Sequence, residues 1–250
     1  SSDLAFDRAA HDDDIRVIIL AANGKHFSAG HDLSETDGHG TLRKHDTVAP
    51  VCGFGCAGAE AQMAREEEIY LGFSDRWRNI PKPTIAAVSG KCIAGGLMLA
   101  WPCDIIIAAD DAAFADPTVS FGICGHEYFT HVWEVGIRKA KEMLFTSDEI
   151  GAEDALRLGM VNQVVPRAEL AGEVQRVAER IATQPRLALQ LAKQACNHME
   201  TLAGKNAGID AAFGYHHFAH ANNSLVKGDY IAGFDGKKMA AANKKDAGNS

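Results

Sequence analysis

Three short runs in this chain are almost wholly apolar, and two of them run straight into a turn signal. They are Ile15-Arg16-Val17-Ile18-Ile19-Leu20 ahead of Ala22-Asn23-Gly24, Thr84-Ile85-Ala86-Ala87-Val88-Ser89 ahead of Gly90, and Cys103 to Ala109. A strand with one wet face alternates apolar and polar residues, so runs of this kind belong to strands covered on both sides. Between the first two lies a helical pattern of Met63, Ile69, Tyr70, Phe73, Trp77 and Ile80, stopped by Pro81 and Pro83. Arg65, Glu66, Glu67 and Glu68 interrupt it and read as solvent-facing charge. A short helix, Gly95 to Ala100, separates the second run from the third. Strand, helix, strand, short helix, strand is the order of a parallel sheet built from right-handed crossovers. Beyond Gly122 helical spacing dominates, over 138–145, 152–158, 168–183, 185–203 and 229–243, broken by a strand at Val161–Val165. The spacing predicts an α/β core over residues 1–165 and a helical region over 166–250, with no internal repeat. Residues 34–60 lack periodicity and read as a long loop or lid.

Composition removes several classes of function. With 25 Lys and Arg against 33 Asp and Glu, the net charge is −8 over 250 residues, which disfavours nucleic acid or an anionic membrane as the main partner. No apolar run approaches the roughly 20 residues of a spanning helix, and the first residues lack the pattern of a signal peptide. The expectation is a cytoplasmic protein whose cysteines, Cys52, Cys56, Cys92, Cys103, Cys124 and Cys196, are reduced.

Two glycine-bearing turns carry the chemistry. Phe27-Ser28-Ala29-Gly30-His31-Asp32-Leu33 lies just beyond the first strand, where ligands of open α/β sheets collect. Ser89-Gly90-Lys91-Cys92-Ile93-Ala94-Gly95-Gly96-Leu97 follows the second strand and opens a helix, with small residues that let a ligand reach the backbone. Side by side, two such turns can aim two amides at one developing oxyanion. Taken alone, each turn is weak evidence, and an isolated Gly-Gly after a strand reads first as tight helix–sheet packing.

Taken in order with Pro81-Lys82-Pro83-Thr84-Ile85-Ala86-Ala87-Val88, Ala94-Gly95-Gly96 followed by Cys103-Asp104-Ile105, and Ala152-Glu153-Asp154-Ala155 with Gly159-Met160-Val161-Asn162, these turns resemble the signatures of the crotonase (enoyl-CoA hydratase/isomerase) superfamily. The resemblance runs from about residue 4 to about residue 245. It implies a ββα spiral core with a helical C-terminal trimerisation region, assembled as a homotrimer or dimer of trimers. It also implies an acyl-CoA thioester substrate, in fatty-acid or related carboxylic-acid catabolism, with coenzyme A as part of the substrate and no separate cofactor or metal. By the same resemblance the oxyanion amides belong to His31 and Gly95. CoA contacts fall to Lys25, Ala29, Asp32 and Leu33, and to Phe234 and Lys237 near the C-terminus.

The sequence departs from the family pattern where the two glutamates of a hydratase should stand, at Met98 and Thr118, neither of which can take a proton from water near pH 7. Glu127 and His126, in the turn Gly122 to Tyr128, are the candidate replacements; the competing reading makes Glu127 a helix cap and His126 a backbone partner. Asp116 is a third candidate, with turn formation as its simpler role. Trp101, Tyr128 and the lid are expected to shape the acyl site. The reaction stays open among hydration, isomerisation, hydrolysis, C–C cleavage and decarboxylation. A non-catalytic acyl-CoA-binding homologue is the alternative from another class. Two further patterns point elsewhere: Gly53-Phe54-Gly55-Cys56-Ala57-Gly58 spells a dinucleotide fingerprint without the strand it requires, and His216, His217 and His220 read as surface or interface histidines lacking a third metal ligand.

Overall fold

In the computed structural model the described residues are 2–31 and 51–231. Their order is α1 (Ser2–His11), β1 (Ile18–Ala21), α2 (Gly58–Glu66), a π-helical turn (Glu67–Gly72), α3 (Phe73–Arg78), β2 (Thr84–Val88), β3 (Lys91–Ile93), α4 (Gly95–Ala100), β4 (Ile105–Ala109) and β5 (Ala113–Ala115). After β5 come α5 (His131–Val135), α6 (Ile137–Thr146), β6 (Ile150–Gly151), α7 (Ala152–Leu158), β7 (Gln163–Val165), α8 (Leu170–Ala182), α9 (Arg186–Leu202) and α10 (Lys205–Lys227).

The apolar runs do form a parallel sheet, in the order β1-β2-β4-β7, with Ile18 opposite Thr84, Ile85 opposite Ile105 and Ile107 opposite Gln163. Both faces are covered. Ala86, Val88, Ile106 and Ala108 pack with Leu97, Trp101 and Phe114 on one side; Ile85, Ala87, Ile107 and Ala109 pack with Leu170, Val174 and Val177 of α8 on the other. Each fully buried Ile contributes roughly 1.5–3 kcal/mol by leaving water, which is why these strands carry almost no polar residue.

A second sheet, β3-β5-β6, was not visible in the periodicity because its strands are two or three residues long. The chain alternates between the sheets, β2 to β3 and β4 to β5, as a ββα spiral does. The first crossing turns at Gly90, whose φ is +57° and where a Cβ would stand 2.5 Å from the Lys25 carbonyl oxygen. Two residues of the signature motifs are structural. Lys82 donates to the carbonyls of Ala9 and Asp12, holding the end of α1, and Asp104 accepts from the Thr84 amide and hydroxyl and from Lys193 of α9.

The charge run in the first helical pattern requires a correction. Arg65, Glu66 and Glu68 are buried, while Met63, expected inside, is exposed. The cause is the π-helical turn: its wider winding rotates the helix face between α2 and α3, so one 3.6-residue period cannot describe both. The C-terminal region also differs. A 23-residue helix, α10, occupies 205–227, and residues 228–231 are non-helical; the rest of the expected 229–243 helix lies outside the described residues. Among the described residues no helix is long and apolar enough to cross a membrane.

Candidate active site

A stretch of main-chain pairing brings the two glycine turns together. The Phe27 amide donates to the Ser89 carbonyl (2.8 Å), the Ser28 amide to Lys91 (3.0 Å), and the Ile93 amide back to Ser28 (2.9 Å). Gly30 and His31 are thereby carried up against Ala94 and Gly95: a Cβ added to Gly95 would lie 3.5 Å from both Gly30 Cα and His31 Nδ1. Gly30 has φ +92°, and Ala94 holds φ +45°, a value non-glycine residues rarely adopt, with its amide donating to Ala115. Gly95 is the first residue of α4, so its N–H has no partner within the helix. Among the described residues neither the His31 nor the Gly95 amide is used in a hydrogen bond. Lys25 and Ala29 are exposed; Asp32, Leu33, Phe234 and Lys237 lie outside the described residues.

Next to these turns the His31 ring meets Tyr70 edge-on, centroids 4.5 Å apart. Met98 is buried with Tyr128 and Ile209 and packs against Tyr70 and Leu71, so this position is apolar in its surroundings as well as in its side chain. Thr118 opens a 3₁₀ turn, and its hydroxyl is buried without a hydrogen-bond partner among the described residues.

Asp116 is fully buried and saturated. Its Oδ1 accepts from the Thr118 amide (3.0 Å), and its Oδ2 from the His126 amide (3.0 Å) and His131 Nε2 (2.8 Å). Burial works to raise its pKa, but the His131 hydrogen bond and the His126 and His131 imidazoles hold the carboxyl well below the usual range. It fixes the loop that carries His126 and Glu127. The His126 ring lies tilted against those of His131 (centroids 4.5 Å apart) and Trp101 (5.2 Å), and burial keeps it neutral by pushing its pKa well down.

Glu127 turns the other way, and it does not cap α5, whose N-terminus has no side-chain cap. Its carboxyl is buried, with Oε1 3.8 Å from His216 Nε2. Burial first, then the nearby Glu66 carboxylate, push it up to about 8 against the opposing pull of His216. The imidazole facing Glu127 is therefore that of His216, where the sequence suggested His126. The three histidines of α10 are buried rather than at the surface, and Glu66 is the third group that the sequence did not supply. Glu66 Oε2 lies 3.2, 3.4 and 3.9 Å from the Nε2 atoms of His216, His217 and His220. His216 Nδ1 donates to the Gly125 carbonyl and His220 Nδ1 to the Tyr230 carbonyl, each at 2.8 Å, so both rings turn Nε2 inward, where the two nitrogens are 2.9 Å apart.

Burial opposes charge throughout this cluster, yet opposite charges prevail at two groups: Glu66 falls to about 2 beside the imidazoles, and His216 rises to about 8 between the Glu66 and Glu127 carboxylates. His217 is driven by burial down to about 4. Burial, then the Glu127 and Glu66 carboxylates, also raise the Tyr70 phenol, tying the cluster to the aromatic wall beside His31. The one legible signal was the four-residue His216–His220 spacing; Glu66 and Tyr70 carried none.

The fold has close counterparts among known proteins. The enoyl-CoA hydratase/isomerase family model matches residues 54–237. EchA13 of Mycobacterium tuberculosis H37Rv is 43% identical over 234 residues, 91% of this chain and 73% of that protein. The human "Enoyl-CoA hydratase domain-containing protein 3, mitochondrial" is 36% identical over 193 residues, 77% of this chain; the chain spans only 57% of that relative's length, and 56% of its rat and mouse counterparts. The crystal structure of a probable enoyl-CoA hydratase from Mycobacterium smegmatis superposes with a TM-score of 0.82 at 46% identity, covering 92% of this chain and 86% of that one. With the ordered motifs, the spiral core and these matches in agreement, the chain belongs to the enoyl-CoA hydratase/isomerase family of the crotonase superfamily.

Proposed function

We propose that this chain is an acyl-CoA-acting enzyme in which the amides of His31 and Gly95 receive the thioester carbonyl oxygen and Glu127 moves the proton. The observation that carries the proposal is Glu127 itself, a buried carboxyl facing the His216 imidazole at 3.8 Å, in a loop fixed by Asp116. Negative charge that develops on the thioester oxygen as an enolate forms is met by two fixed donors, each worth about 3–4 kcal/mol in acyl-transfer enzymes. Glu127 gives a proton to, or takes one from, the carbon next to the thioester, and its raised pKa matches it to work near neutral pH. His216, between Glu66 and Glu127, balances the charge that Glu127 gains or loses. His126 acts through its main chain, whose amide bond to Asp116 sets the position of Glu127.

The turns alone would serve a non-catalytic CoA-ester binder equally well. The buried Glu127–His216–Glu66 cluster favours an enzyme, because a binder gains nothing from ionisable groups that are costly to bury. Exposed apolar side chains on α9 (Leu187, Leu191, Met199, Leu202) and α10 (Tyr215, Phe218, Leu225, Val226) support assembly into a homotrimer or dimer of trimers. The test is turnover of a panel of acyl- and enoyl-CoA esters, with products identified by mass spectrometry, for the native chain and for Glu127→Gln. The expected result is product from at least one ester, lost by about 10²- to 10⁴-fold in the variant with ester binding retained. Binding without turnover by the native chain would make it a binder; undiminished turnover by the variant would remove Glu127 from the mechanism.

A further inference from the structure

We infer that Glu66, His216 and His220 form a binding site for one divalent transition ion of the zinc class. Two histidines one helical turn apart on α10 and a carboxylate from α2 bring three ligand atoms within 4.8 Å of one another in a buried position. Zinc bonded to imidazole nitrogen and carboxylate oxygen at about 2.0–2.1 Å in tetrahedral geometry sets ligand atoms about 3.3 Å apart. The three separations here are 2.9, 3.2 and 3.9 Å.

Two features distinguish this cluster from a plain ion pair. The first is the outer shell. Each ring's Nδ1 is tied to a backbone carbonyl and Glu66 Oε1 accepts from Gln62 Nε2 (3.0 Å), so every inward atom is oriented by a hydrogen bond on its far side, as in metal-bound histidines. The second is the inner edge. Glu66 is more than nine-tenths buried and its Oε2 makes no hydrogen bond among the described residues, although it points at both Nε2 atoms. Two Nε2 atoms 2.9 Å apart must share a single proton when no ion lies between them. The Asp116–His126–His131 group also gathers ligand types, but all of its carboxylate capacity on the inner side is taken by the loop amides and His131. It is a structural hub.

Glu127 stands outside the three-atom set, its Oε1 3.8 Å from His216 Nε2. On the acyl-CoA reading above, an ion held by Glu66, His216 and His220 would supply Lewis-acid character beside the Glu127 carboxyl. Occupancy of the site does not depend on that reading.

The experiment uses the full chain, stripped with a chelator, dialysed and titrated with Co(II), with Zn(II) as competitor. The expected result is one equivalent of Co(II) per chain with the visible bands of tetrahedral coordination, displaced by zinc, and a melting temperature raised by zinc and restored by chelator. Glu66→Gln and His220→Gln, each close to the native side-chain volume, should weaken uptake by at least about 100-fold, while His198→Asn on the exposed face of α9 leaves it unchanged. Uptake well below one equivalent, or the same in these variants as in the native chain, would mean an adventitious ion only and would overturn the site. Should either variant fail to fold, the spectrum and the zinc-dependent melt of the native chain decide. Metal uptake with Glu127→Gln fully active would sustain the site and remove the catalytic reading; the reverse result would do the opposite.

Discussion

Gly96 passes so close to Ser28 that a Cβ built on it would stand 2.7 Å from the Ser28 carbonyl oxygen and 3.4 Å from Cys92 Sγ. That carbonyl accepts the Ile93 amide and joins the two turns, so the contact is with backbone that cannot step aside. Gly96→Ala should therefore destabilise the protein by about 1–3 kcal/mol, despite alanine's better helix propensity, when measured by urea unfolding. It should also lower kcat/KM by roughly 10- to 100-fold as the turns part. Gly95→Ala makes the complementary test. Its Cβ would meet only ordinary contacts at 3.5–3.6 Å, yet it would stand between the two turns. Its melting curve should match the native one while turnover is lost.

Asp116 satisfies three donors with no solvent to replace it. Asp116→Ala would strand two backbone amides and one imidazole N–H, and should cost about 3–5 kcal/mol of unfolding free energy. Asp116→Asn keeps the volume and part of the acceptor capacity and should cost less. If Asp116→Ala unfolds at native urea concentrations, Asp116 is not what holds the Glu127 loop.

How much of this was legible follows from what each residue's partner is. β2 and α4 were readable to within a residue because their burial is set by short-range apolar runs and by proline and glycine at their ends. The meeting of the two glycine turns was readable because close backbone approach demands small residues in fixed order. Glu66 was not. In the run Arg65-Glu66-Glu67-Glu68 nothing local separates the buried carboxylate from solvated neighbours; its partners lie some 150 residues on, and the π-helical turn shifts the face on which it emerges. Nor was α10 anticipated as an element: the apolar residues it buries, Ile209, Ala212 and Phe213, are confined to its first half, and the inward face of the second half is made of His216, His217, His220 and Asn223, which leaves little apolar periodicity to detect.

The apolar side chains exposed on the C-terminal helices make a prediction about assembly. α9 buries none of its residues within the chain, although Leu187, Leu191, Met199 and Leu202 are all apolar, and Phe218 and Leu225 of α10 are more than three-quarters exposed. Phe218→Asp together with Leu191→Asp should shift the protein from oligomer to monomer in sedimentation equilibrium. Identical mass for native and variant chains would show that these side chains are not the assembly surface.

The buried cluster also sets a pH dependence of stability for the metal-free protein. Glu127 holds its proton up to about 8 in the folded chain, well above an ordinary carboxyl, and His216 likewise up to about 8, above an ordinary imidazole. A raised folded pKa stabilises fully below the unfolded value and loses that contribution as pH climbs through the folded one. Glu127 therefore costs stability as pH rises from about 4.5 to 8 and His216 from about 6.5 to 8, so both act together between about pH 6.5 and 8, by up to about 1.4 kcal/mol per pH unit for each proton. The groups shifted downward act elsewhere. Glu66, held near 2, loses its contribution as pH falls from about 4.5 to 2, and His217, held near 4, loses its contribution as pH falls from 6.5 to 4. His220, lowered by burial, works in the same direction as His217. The alkaline slope thus belongs to Glu127 and His216, and Glu127→Gln, which cannot release a proton, should remove about half of it. Urea midpoints at about pH 6.5, 7.2 and 8 supply the check. A native profile flat over this range, or a variant slope equal to the native one, would mean that Glu127 is ionised at neutral pH and that its burial is relieved by a partner other than a proton.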